Sequence, residues 1–327
     1  MKLKRIRCKD SLSPLVAIQS GERWIPLEPA LSRTAAPLND IDRRAASNLI
    51  CALQAGPDQR QKWQNAVDAF SDPVPLVDET PILPFQPSSY RDFMLFEAHA
   101  VNAARGYARR FMPMAFKVAA AYERVFNRTF PAFRPHPLWY RQPIYYMGNH
   151  LSFVTEGHPA AFPVYSKALD YELELGAVIV HSLKNATPEQ AEAAIGGFVV
   201  FNDFSARDVQ LPEMKSGFGP VKAKHFLNAI SSVVVTADEI LPRIHELSGE
   251  VRINGEVVVK TSTQGMRFGL GRAIAHASLD EQIFPGEFVG TGTLPGGCAM
   301  ENGRWVKPGD VLELKINGIG SLTNPIV

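Results

Sequence analysis

LDYELELGAVIV, residues 169–180, decides how the chain is read. Leucine, valine and isoleucine dominate it, and it is read as a strand. On a strand, residues i, i+2 and i+4 share one face. Asp170, Glu172 and Glu174 therefore stand in a row. Two readings remain open at this point. The row is a solvated strand face, or it is the lining of a cation site. Like charges on one strand face repel, and acids are poor strand formers. A hard divalent ion, which takes carboxylate oxygens, removes both objections.

Working outward, Thr187-Pro188-Glu189-Gln190 is a capping box with proline at the first helical position. It opens a short helix expected to end at Gly196-Gly197. GFVVFNDF is the next strand, with Asp203 at its tip and Ser205-Ala206-Arg207-Asp208 behind it. Asp203 is a site acid, or Asp203 or Ser205 caps the turn starting at Ala206. Further on, VRI-Asn254-Gly255-EVVV is a hairpin. EFVGTGTL and VLELKI are strands, the latter launched by the turn Lys307-Pro308-Gly309-Asp310. Toward the N-terminus, the first thirty residues alternate as a small β-unit around Gly21-Glu22. One helix is expected from an Asn39 or Asp40 cap to about Ala55, and a second over residues 59–70. Prolines 73, 75, 81, 84 and 87 make the next segment a linker or wrapped arm. This divides the chain into a small N-terminal domain with its proline-rich linker, residues 1–85, and a second domain, residues 86–327.

The bulk numbers bound the function. The chain has 327 residues, 46% hydrophobic and 20% charged, the composition of a globular protein rather than a disordered one. Its 34 basic and 33 acidic residues leave a formal charge of +1, so no global field recruits nucleic acid or an anionic membrane. No apolar run approaches the ~18 residues of a membrane span, and the basic start MKLKRIRCKD lacks the apolar core of a secretory signal. Cys8, Cys51 and Cys298 are sparse and far apart, which fits a reducing cytoplasm and excludes a disulfide scaffold or cysteine zinc site.

Other stretches carry chemistry. In DFMLFEAH, residues 92–99, Asp92, Phe96 and His99 share one face if the stretch is helical. The plain alternative for His99 is a surface or satisfied core residue. GTGTLPGG, residues 290–297, lacks a following Lys-Ser/Thr and is read as a loop of backbone donors, or as a plain turn. There is no GxSxG elbow, HExxH helix, Walker loop or GxGxxG after a strand.

Taken together, DFMLFEAH, DYELELGAVI, FNDFSARDVQ, the lysine of KAKHF, GTGTLPGG followed by CAME, and PGDVLEL resemble the fumarylacetoacetate hydrolase family. They occur in the family's order over roughly residues 80–327. The resemblance implies a β-rich α+β fold, a mixed β-roll or β-sandwich of the fumarylacetoacetase C-terminal type behind a small N-terminal α/β domain, assembled as a homodimer. It implies a metal site at Asp92, Glu172, Glu174 and Asp203 for Mg²⁺, Ca²⁺ or Mn²⁺. It implies a general base, His99, assisted by Glu301. It places Lys224 at the reacting oxygen and Arg207, Gln210, Tyr146 and Thr293 on substrate.

Two departures stand out. Met94 and Met214 replace tyrosines of members that cleave fumarylacetoacetate, exchanging hydroxyl donors for apolar side chains. Both are expected at the pocket mouth. Residues 105–137, rich in arginine and aromatics, have no firm counterpart and are read as a lid. The leading functional reading is metal-dependent hydrolysis of a C–C bond in a β-diketone or acylpyruvate, as in aromatic catabolism. The alternatives are an isomerase, tautomerase or decarboxylase of a 2-oxo acid, which needs no attacking water, and a metal-stabilised binding protein without turnover.

Overall fold

The computed structural model describes residues 1–34 and 37–327. The chain opens with the antiparallel strands β1 (Lys2–Ile6), β2 (Leu15–Ser20) and β3 (Arg23–Pro26), the last two joined through Gly21 at φ 56°. Four helices follow: α1 (Leu27–Ser32), α2 (Asp40–Ser47), α3 (Leu49–Leu53) and α4 (Pro57–Asp68). The single helix expected up to Ala55 is broken at Asn48, whose backbone is extended at ψ 115°. Its side chain caps α3 by accepting from the amides of Ile50 and Cys51, a local bond that competes with helix continuation. The proline-rich stretch forms neither helix nor strand beyond a single bridge between Leu76 and Cys8, as its prolines require.

Then come β4 (Tyr90–Phe93), α5 (Glu97–Phe111), α6 (Pro113–Phe126), β5 (Tyr145–Met147) and β6 (Phe153–Val154). DFMLFEAH is therefore not one helix. Asp92 lies on β4, residues 94–96 are an irregular connection in which Phe96 bridges to Met266, and His99 sits in the first turn of α5. β4 runs parallel to a strand some two hundred residues away, a pairing that local periodicity cannot reveal.

LDYELELGAVIV is also divided, into β7 (Leu169–Asp170) and β8 (Leu173–Ile179). Between them the Glu172 amide donates to the Asn202 side chain instead of a ladder carbonyl. The Thr187 capping box starts α7 (Pro188–Ala193). That helix stops before the expected glycines, which lie inside β9 (Ile195–Asn202). A Cβ at Gly196 would meet Val180 at 2.3 Å, so these glycines serve sheet packing and not a helix end. Next are β10 (Ser205–Ala206), α8 (Arg207–Lys215), β11 (Asn228–Ile230), β12 (Val234–Thr236) and α9 (Ala237–Ile240). The hairpin of β13 (Ser248–Ile253) and β14 (Glu256–Ser262) turns at Asn254 and Gly255, both at positive φ. α10 (Leu270–Ala277), β15 (Phe288–Gly290), α11 (Ala299–Asn302), β16 (Val311–Ile316) and β17 (Gly320–Pro325) complete the chain.

The result is β-rich α+β. An 11-stranded sheet contains the path β3-β2-β1-β12-β9-β8-β15-β4-β5, and a second sheet has the order β14-β13-β16-β17. Strands β8 and β9 are buried along their whole length. Leu175, Ala177, Ile179, Phe198 and Val200 pack toward the four-stranded sheet, meeting Val251, Leu314 and Ile316. Val178, Val199 and Phe201 face the other way, toward Val16, Leu53, Trp63 and Phe288. Burial on both faces explains the nearly continuous apolar run. Acids at the end of β8 are consequently held in the interior.

Candidate active site

The site forms where β8, β15, β4 and β5 lie side by side. Gly290 of β15 is in register with Gly176 of β8 and with Asp92 of β4, and Asp92 is opposite Tyr146 of β5. A Cβ at position 290 would sit 2.4 Å from Asp92 Oδ1 and 2.9 Å from Glu174 Oε2. Glycine is required there because the two carboxylates occupy the space above its backbone. Below them lies an aromatic cluster of Tyr90, Phe153, Phe201 and Phe288 with ring centroids 5.1–5.8 Å apart. The Tyr146 hydroxyl donates to Asp203 Oδ2 at 2.8 Å.

Asp92, Asp170, Glu172, Glu174 and Asp203 are all buried, which rules out a solvated strand face. They divide into two groups. Asp92, Glu174 and Asp203 bring carboxylate oxygens within 4.8 Å of one another. One oxygen of each, Asp92 Oδ1, Glu174 Oε1 and Asp203 Oδ1, is buried with no hydrogen-bond partner. Asp170 and Glu172 are instead engaged by Arg207, whose Nε donates to Asp170 (2.8 Å) and Nη2 to Glu172 (2.6 Å). Lys224 Nζ joins the groups by donating to Glu172 and Asp203. Asp203 caps no helix: α8 has Ala206 at its N-cap without a side-chain bond.

The electrostatics follow from burial and neighbours. Burial, then the Asp203 charge, pushes the Asp92 carboxyl well above its usual range. Burial, then Asp92, does the same to Glu174. Burial also raises Asp203, against the pull of Lys224. For Glu172, burial is outweighed by Arg207 and Lys224, which hold it below the usual carboxylate range. Lys224 is raised above an ordinary lysine because Asp203 and Glu172 outweigh its own burial. Five buried carboxylates thus face two buried cations. The excess of buried carboxylates over cations, with three of them converging and each carrying an orphaned oxygen, is the donor set of a hard divalent ion, and the residues fit one.

Beside this cluster, His99 Nδ1 lies 2.7 Å from Glu301 Oε1 and His99 Nε2 lies 3.8 Å from Glu172 Oε1. The dyad depends on close contact between α5 and α11. Gly106 permits it, since a Cβ there would lie 1.7 Å from the Met300 carbonyl oxygen. Glu301 Oε2 accepts from the Gly296 amide (2.9 Å), and Glu174 Oε2 accepts from the Gly292 amide (2.9 Å). The glycine-rich loop is therefore a set of backbone donors to the site's own carboxylates. Asp170 accepts from the amides of Ala299 (2.7 Å) and Met300 (3.0 Å) and so ties α11 to Arg207.

The remaining expected residues are placed as follows. Thr293 Oγ1 is buried and unpartnered. Gln210 accepts from Arg207 Nη1 (2.9 Å). Arg207, Gln210 and Met214 share one face of α8, running from buried to 49% exposed at Met214. Met94, just after β4, is 40% exposed. Of residues 105–137, Arg105 is held by a bidentate pair with Glu123 that fastens α6 to α5. Sequence reasoning missed three participants. Asp170 stands in the row of strand acids but outside the expected metal set, and Arg207 engages it. Cys298 stands three residues before Glu301. Glu213 accepts from the amides of Val221, Lys222 and Ala223 and fixes the loop that presents Lys224.

Residues 115–327 match the fumarylacetoacetate (FAA) hydrolase C-terminal family. The chain is 33% identical over 190 residues to a mitochondrial oxaloacetate tautomerase of Xenopus laevis, covering 57% of this chain and 59% of that protein. It is 31% identical over 183 residues to the mitochondrial oxaloacetate tautomerase FAHD1 of Homo sapiens, covering 56% and 80%. The chain thus spans about three fifths of the Xenopus relative. Among solved structures, the fumarylacetoacetate hydrolase of Exiguobacterium antarcticum superposes with a TM-score of 0.66 at 20% identity, covering 100% of this chain and 99% of that one. Maleylpyruvate hydrolase from Sphingobium sp. SYK-6 gives 0.66 at 15%, with the same coverage. The chain belongs to the fumarylacetoacetate hydrolase family, with its fold.

Proposed function

We propose that the protein is a divalent-metal-dependent hydrolase that cleaves a C–C bond in an acylpyruvate or related β-diketone. The observation that carries this is the His99–Glu301 pair, 2.7 Å apart and adjoining the carboxylate cluster. Asp92, Glu174 and Asp203, with Glu172 beside them, would hold Mg²⁺, or Ca²⁺ or Mn²⁺, and the bound ion supplies Lewis-acid polarisation of the substrate's oxygens.

The chain's own residues account for the remainder. His99 accepts a proton from water at Nε2. Glu301 orients the ring through Nδ1 and stabilises the imidazolium. The hydroxide oxygen adds to the acyl carbonyl, and Lys224, which has three donors and spends two on Glu172 and Asp203, offers the third to the oxyanion. The C–C bond then breaks, its electron pair passes to the departing enolate, and that enolate is protonated to give the second acid. Thr293 Oγ1, buried and unpartnered, is a further donor toward substrate. Arg207 and Tyr146 hold carboxylates in place. Met94 and Met214 favour a substrate with a less polar acyl arm. The three free cysteines support a reducing compartment, the cytoplasm.

Relatives described as oxaloacetate tautomerases support a second reading, in which the same base moves a proton between carbon and oxygen of a 2-oxo acid and no water attacks. Incubation of the magnesium-loaded protein with an acylpyruvate separates the two. Hydrolysis yields two carboxylic acids, whereas tautomerisation changes the enol absorbance with every carbon retained in one molecule.

A further inference from the structure

We propose that His99, Cys298 and Glu301 form a second, soft cation site, and that a zinc-class ion bound there inhibits the enzyme by capturing its base. One ligand atom from each of the three lies within 4.8 Å of the others. Cys298 Sγ is 3.4 Å from Glu301 Oε1, which is itself 2.7 Å from His99 Nδ1. Cysteine spacing excludes a zinc site built from cysteine pairs, but a single sulfur with an imidazole nitrogen and a carboxylate oxygen is also a zinc donor set, bound at about 2.0–2.3 Å and leaving a fourth position for water. The neighbouring set of Asp92, Glu174 and Asp203 is all oxygen and suits hard ions. The two sites therefore sort metals by softness.

Two elements supply the donors, and both are fixed. His99 comes from α5, whose contact with α11 is set by Gly106. Cys298 is fully buried and is the residue from which α11 begins, while Asp170 holds the first amides of that helix. A thiolate and a carboxylate balance a divalent charge. Binding expels the thiol proton and moves the imidazole proton from Nδ1 to Nε2 as Nδ1 turns to the ion. Nε2 then carries a proton and cannot accept one from water. No bond within the substrate is involved, and the inference holds whichever reaction the base serves.

The experiment uses the whole chain loaded with saturating Mg²⁺. Co²⁺ is added as a spectroscopic probe, and Zn²⁺ is titrated against turnover. The wild type is expected to show a near-ultraviolet thiolate-to-Co²⁺ charge-transfer band that is absent in Cys298→Ala and Cys298→Ser. The Zn²⁺ concentration for half inhibition, relative to each variant's own uninhibited rate, should rise at least roughly tenfold in both; even outer partners of a metal site tune affinity on that scale. Co²⁺ binding without the band, or equal zinc sensitivity in wild type and both variants, would overturn the proposal. The spectrum needs no turnover, so it stands or falls separately from the hydrolase reading.

Discussion

Gly106 of α5 lies against Met300 of α11 so closely that a Cβ at 106 would be 1.7 Å from the Met300 carbonyl oxygen. Glycine inside a helix costs roughly 0.5–1 kcal/mol relative to alanine, and here it lets one helix deliver His99 to the Glu301 presented by another. Gly106→Ala must push the helices apart. Because misplacing a catalytic group by about 1 Å can cost 10²-fold, kcat should fall on that order while Mg²⁺ affinity by calorimetry is retained. An unaltered kcat would show that the dyad does not depend on this contact.

His99→Ala should lower turnover by about 10²–10⁴, the range for a positioned base, and leave the metal affinity unchanged because His99 is outside the oxygen cluster. Glu301→Gln keeps a hydrogen-bonding side chain but loses the charge that stabilises imidazolium, so its loss should be smaller. Steady-state kinetics on both variants, with metal binding measured in parallel, check the assignment.

Removing the ion should destabilise the fold, and more so at alkaline pH. The carboxyls of Asp92 and Glu174 are raised in the folded protein by burial and by neighbouring acids. An acid raised on folding weakens the native state when ionised, and the penalty fades as pH falls through its folded pKa. The gap in Tm between magnesium-loaded and chelator-treated protein should therefore narrow from pH 8 to pH 5. Glu174→Gln should abolish ion binding yet raise the Tm of the chelated protein, since one buried charge is gone and the Gly292 amide keeps an acceptor. A lower Tm in that variant, or a gap independent of pH, would contradict this electrostatic picture.

Met94→Tyr combined with Met214→Tyr should move preference toward fumarylacetoacetate. Each hydroxyl adds one net hydrogen bond of about 0.5–1.5 kcal/mol, roughly two- to tenfold in kcat/KM per site. The comparison is kcat/KM for fumarylacetoacetate against an alkyl acylpyruvate in both proteins. A wild type that prefers fumarylacetoacetate a hundredfold would show that other groups hold the distal carboxylate. Arg109, exposed and donating to the Glu301 carbonyl at 3.2 Å, would then be the group to substitute next.

What could be read from sequence was local, and what was missed was set by distant partners. Glu172 and Glu174 announce themselves because acids inside an otherwise apolar strand need a reason, and Asp203 ends the adjacent strand. The break between β7 and β8 was invisible because it is made by the Asn202 side chain, 30 residues on. In DFMLFEAH, Asp92, Phe96 and His99 share a face only if the stretch is helical. Its first half is a strand because Phe288–Gly290 pairs with it. Asn48 did carry a local signal, an N-cap residue inside an apolar-periodic run, and its cap defeats the longer helix. The role of Gly106 requires knowing that α11 lies on α5, which no periodicity encodes.

Cleavage and proton transfer differ most plainly in the fate of the carbons and of solvent oxygen. The magnesium-loaded protein is incubated with an alkyl acylpyruvate in ¹⁸O-labelled water and the products are resolved by mass spectrometry. Hydrolysis would give two acids, pyruvate and an alkyl carboxylic acid, with one solvent ¹⁸O incorporated into the carboxylate of the latter and the yield lost in His99→Ala. A single product of unchanged carbon count, formed with no cleavage, would contradict hydrolysis and assign the site to proton transfer alone.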